Sequence, residues 1–174
     1  MVRIVIFVCL LGFNFQLHSQ DGPSNTSTEF ERQYQWRIKQ EILNETYIPK
    51  DLTDAFVQLN RLVDQSSKEK FKTAPEEVVA HKLHFSLGRW MIVNWSFYEG
   101  SRLTVFLNQI GLRHPDDMAR FLIITYHRNL NRKSLEVQQL VETLVTKRKE
   151  AEDRNKKEGQ LLHEEVRIRP KQGN

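Results

Sequence analysis

The sequence predicts an all-α protein, a compact helical domain of about five helices with a long charged C-terminal helix. Three observations carry that expectation. Apolar residues recur every three or four positions over most of the chain, Ser, Thr, Asp and Pro stand where such stripes begin, and no alternation of period two lies between hairpin signals. The densest apolar pattern runs from His84 to Arg128, which should form the core.

Taken in order, the chain opens with Arg3 ahead of an apolar run from Ile4 to Phe15, then Gln16-Leu17-His18-Ser19. This is the layout of a secretory signal peptide over residues 1–19, with cleavage expected after Ser19. The run is shorter than the roughly 20 residues a spanning helix needs, so no membrane span is expected after cleavage. Cys9, the single cysteine, sits inside that run, and the mature chain would have no disulfide or thiolate chemistry. Residues 20–28 read as a flexible leader rich in Gly, Pro, Ser and Thr. Thr28 and Glu31 form a capping-box pattern, and Phe30, Tyr34, Ile38 and Ile42 predict an N-terminal helix over 29–46.

Pro49 makes the next segment extended, and Asp51 is a natural N-cap for Leu52, Ala55, Phe56, Leu59, Leu62 and Val63. Ser66 and Glu69 suggest a cap for a short helix holding Phe71. Thr73, Pro75 and Glu76 then open a longer one with Val78, Leu83, Leu87, Trp90, Met91 and Trp95 on a broad apolar face. Ser101 should cap a helix ending at Gly111. Pro115 starts another, with Asp116 and Asp117 in its first turn beside the positive end of the helix dipole. Beyond Ser134 the apolar period continues through Leu135, Val137, Leu140, Val141, Leu144 and Val145, but Lys147 to Glu158 are almost all charged or polar. Residues 136–174 therefore read as a charged helix that outruns its core and frays into a tail.

Composition bounds the function. Hydrophobic residues at 39% and charged ones at 28% fit a globular domain with a charged surface. The net charge of +4 is spread among acidic neighbours, without the basic stripe that phosphate backbones select, so nucleic acid is not an expected partner.

Ordered motifs add a resemblance. Ile48-Pro49-Lys50-Asp51-Leu52, His84-Phe85-Ser86-Leu87-Gly88-Arg89-Trp90, Asn94-Trp95, Ser101-Arg102-Leu103 and His114-Pro115-Asp116-Asp117-Met118 resemble a small bacterial domain family of unknown function. The likeness runs from Tyr47 to Leu135, about half the chain. Phe97-Tyr98 stands where similar sequences tend to have Leu-Trp. The resemblance implies domain limits over 47–135 and brings no activity, ligand or partner with it.

Three constellations are candidates for chemistry. Glu77, His81 and His84 fall at i, i+4 and i+7, a spacing that can present metal ligands, but there is no HExxH and ordinary surface histidines explain it; no metal and no cofactor are expected. His114 with Asp116 and Asp117, joined by His84, is the sharpest acid–base cluster, although a plain helix start explains it as well. Arg102 is the expected partner of one of those aspartates. Ser86 and Ser101 are the available nucleophiles, and neither sits in a nucleophile elbow. The third set, Trp90, Asn94, Trp95, Tyr98, Arg102 and Tyr126, is a candidate binding surface, with Trp90 expected inside and Trp95 or Tyr98 nearer the solvent.

The sequence thus points to an exported, periplasmic or secreted, binding module for a protein or cell-envelope component. A hydrolase or metal-assisted enzyme centred on His84, His114, Asp116 and Asp117 is the first alternative. An envelope protein assembling through its C-terminal helix is the second.

Overall fold

The computed structural model describes residues 26–168, so the expected signal peptide and the cleavage site after Ser19 lie outside the described residues. Among these the chain forms α1 (Ser27–Arg37), a hairpin of β1 (Ile42–Leu43) and β2 (Thr46–Tyr47), then α2 (Leu52–Leu62), α3 (Gln65–Thr73) and α4 (Glu76–Lys82). A π-turn (His84–Gly88) leads into α5 (Arg89–Asn94), followed by α6 (Arg102–Gln109), α7 (Pro115–Leu130) and α8 (Val137–Ile168).

The fold is helical, but it holds eight α-helices among the described residues and not about five. Two physical causes account for the difference. The long helix expected after Pro75 is broken where Gly88 N–H reaches back five residues to the Leu83 carbonyl at 2.8 Å, which inserts one wide turn between α4 and α5. Helix α8 also joins the core, since its Leu140, Val141 and Leu144 are buried with it.

The N-terminal helix is shorter than its apolar period suggested. Its cap is Thr26, which accepts the Glu29 N–H at 3.2 Å, and it ends at Arg37. Residues 42–47 turn back as an antiparallel pair, Ile42 opposite Tyr47 and Leu43 opposite Thr46. Asn44 and Glu45 both take positive φ, 46° and 62°, the signature of the mirror-image turn that suits a two-residue hairpin loop. Asp64, and not Ser66, caps α3 by accepting the Ser67 N–H at 3.0 Å.

Other ends follow the sequence closely. Asp51 accepts the Asp54 N–H at 2.8 Å, Ser101 and Thr104 form a reciprocal capping box, and Gly111 leaves α6 at φ 107°. Helix α7 is the hub. Residues 117–119 and 121–127 are all buried, and α2, α3, α4, the π-turn, α5 and α8 pack around it. A helix apolar on nearly every side is one that must sit at the centre.

Candidate functional site

The acidic start of α7 meets the π-turn of the preceding helical run. Gly88 makes that approach close, because a Cβ there would lie 3.3 Å from His84 Nδ1 and 3.4 Å from Ile123 of α7. His84 consequently leans on α7, with Nε2 3.5 Å from an Asp116 oxygen and its side chain only 14% exposed. Its Nδ1 is buried without a partner. Burial pushes the imidazole below its ordinary range, and Arg120 and His81 push the same way while Asp116 and Asp117 oppose them.

His114 has a structural task. Its Nδ1 accepts the Asp116 N–H at 3.2 Å and so caps α7, which puts the proton of the neutral ring on Nε2. The Asp116 carboxylate lies 3.6 Å from that same Nδ1, so Asp116 stands between two histidines. Asp117 points the other way. It is buried and paired bidentately with Arg148 of α8 through Nε and Nη2, the latter at 2.9 Å.

Arg102 does not partner either aspartate. Its Nε donates to the Ile48 carbonyl at 2.7 Å, its Nη1 meets Glu41 at 2.9 Å, and its guanidinium lies 5.0 Å over the Tyr47 ring. It binds the hairpin to α6. A second arginine clamp holds α4, α7 and the α8 entry together: Arg128 grips both Glu76 oxygens at 3.0 and 2.8 Å and donates to the Leu135 carbonyl at 2.8 Å. That contact keeps the Glu76 carboxyl below the usual range.

The aromatic candidates divide between interior and surface. Trp95 is fully buried and meets the half-buried Trp90 edge-on at 5.7 Å. Asn94 donates back to the Trp90 carbonyl at 2.9 Å, and Tyr126 is buried with its hydroxyl donating to Asn60 at 2.9 Å. Tyr98 alone of that set is widely exposed, at 67%.

Tyr98 is not isolated. With Phe85, Val93 and Ile92 it walls an open groove of about 340 Å³ whose polar edges are His84, Arg89 and Asp116. Phe85 is 74% and Val93 62% exposed. Sequence reasoning passed over Phe85, Arg89 and Val93, although their spacing of four is a signal. They form a second line along the helical run, outside the stripe that supplies the core.

As for chemistry, the nucleophile candidates are otherwise engaged. Ser101 is buried in its capping box, and the Ser86 hydroxyl turns back to the Leu83 carbonyl at 3.4 Å. No group of three or more His, Cys, Asp or Glu that could hold a metal ion occurs among the described residues. Nor is any helix among them long and apolar enough to cross a membrane.

Residues 48–130 match a family model described as Domain of unknown function (DUF6794), in keeping with the resemblance of the ordered motifs. No curated protein and no solved structure matches the chain.

Proposed function

We propose that the chain built around this domain of unknown function is an exported recognition module, which holds a protein or cell-envelope partner in the groove beside the π-turn. One observation carries the reading: Phe85, Val93 and Tyr98, all large, apolar and mostly exposed, converge on one concavity edged by His84, Arg89 and Asp116. Exposed apolar side chains scattered singly need no explanation, but a cluster rimmed by polar groups has the anatomy of an interface centre. Such residues contribute little to folding. Export rests on the residue pattern before Gln20.

The hydrolase alternative draws on the same His84–Asp116 contact. It is the weaker reading because Asp117 is committed to Arg148, His114 Nδ1 to its cap, and both serines to backbone or buried contacts. A photo-crosslinking residue placed at Phe85 tests the recognition reading in the native host. The expected result is a discrete adduct with one partner, absent when the same residue replaces Val57, which is exposed on α2. Equal labelling at both positions would count against it. N-terminal sequencing of the exported fraction should begin at Gln20, whereas full-length protein retained inside the cell would contradict export.

A further inference from the structure

We propose that a second site, the apolar cleft formed by the end of α2, α3 and α4, binds a single-chain fatty carboxylate. The cleft measures about 390 Å³ and shares no lining residue with the groove. Its floor includes Phe71, Val79, Leu87 and Tyr126. The one polar atom of that floor is already used, because the Tyr126 hydroxyl donates to Asn60 at 2.9 Å. Phe71 is fixed in place by the Tyr126 and His127 rings, each 5.4 Å away, so the floor is preformed.

The polar edge is cationic. Lys70 and Lys82 line the cleft, both are exposed, and neither ammonium group makes a hydrogen bond or ion pair with any described residue. The neighbouring Lys68 differs in donating to the Asn60 carbonyl at 3.2 Å. An apolar interior with free ammonium groups at its edge complements an amphiphile with an anionic head.

At about 390 Å³ the cleft is at the small end of ligand cavities and has room for one slender apolar chain. An acyl chain can bury its whole length there while its carboxylate stays between the lysines.

Isothermal titration of the purified protein with octanoate, decanoate and laurate, each kept monomeric, tests the assignment. The expected result is one site per chain, tightening about fourfold per added methylene. Dodecyltrimethylammonium should bind far more weakly than laurate. The exposed pair Lys70→Glu/Lys82→Glu should keep its helical spectrum and weaken laurate about tenfold. Ala74→Phe, which fills the cleft from its lining, should abolish binding. The proposal is overturned if laurate does not saturate, if the cationic amphiphile binds equally well, or if the charge reversal leaves affinity unchanged. Binding seen only with phosphatidylglycerol vesicles would also overturn it, since that is membrane adsorption.

Discussion

Asp117 and Arg148 show how a residue that reads as a catalytic candidate can instead be a fastener. An aspartate in the first turn of a helix ordinarily faces water and caps; this one is buried, and a guanidinium reaches it from α8. Removing one partner strands the other, so Asp117→Asn should lower unfolding free energy by about 2 kcal/mol, below the 3–5 typical of fully buried pairs because Arg148 is partly exposed. Urea titration reads this, and an unchanged midpoint would remove Asp117 from the scaffold. The pair was illegible in the sequence because the two residues stand 31 positions apart and Arg148 sits in a run that looks uniformly solvated. Arg102, nearer and also basic, drew the expectation but is held by the hairpin. His84 gives the second residue-scale prediction. Its imidazole is depressed in the folded state, so the unfolded chain takes up the proton first as pH falls below the ordinary 6.5. The stability held above that pH should therefore be lost as pH drops through the lowered folded value, and His84→Gln should flatten that part of the profile. Burial is the main cause of that depression, with the charges of Arg120 and His81 adding to it and those of Asp116 and Asp117 opposing it. A wild-type profile flat between pH 6.5 and 5 would contradict it.

At the scale of elements, α8 is part of the domain for its first three turns and an extension afterwards. Leu140, Val141 and Leu144 close the core over α7, while from Lys149 to Glu158 only Ala151 is other than exposed. A chain ending at Asn131 should thus lose cooperative unfolding, because it exposes the core and leaves Asp117 unpaired. Ending at Asp153 should change stability by no more than about 0.5 kcal/mol. If the shorter chain kept a sharp melt, α8 would be an independent arm, as the assembly reading requires. The apolar period of α8 was plain in the sequence, as were the caps at Asp51 and Ser101, the Gly111 exit and the Pro115 start. Two elements escaped. The hairpin carries Asn44-Glu45 where an Asn-Gly pair would have announced it, and its strands of two residues have no visible period. The π-turn leaves the composition untouched and shifts only the register, so the sequence reads as one helix through it.

For the molecule as a whole, helical class and the central place of the His84–Arg128 region were legible because burial imposes a period on the residues themselves. The groove was only half legible. Tyr98 was among the candidates, but Phe85 and Val93 lie off the core stripe; their spacing of four puts them on one line, and only the structure shows that this line stays exposed. Of the acid–base residues only His84 and Asp116 meet at the groove's edge, while His114 caps α7 and Asp117 is tied to α8. The central claim is that Phe85, Val93 and Tyr98 are kept for a partner and not for the fold. Its most direct test is a crosslinker at Val93, compared between the otherwise native chain and one carrying Tyr98→Asp, with a thermal melt of each. The account predicts that the partner adduct disappears in the variant while the melt moves by no more than about 2 °C. An adduct that survives Tyr98→Asp, or a variant that melts many degrees lower, would show that these side chains do not form a recognition surface.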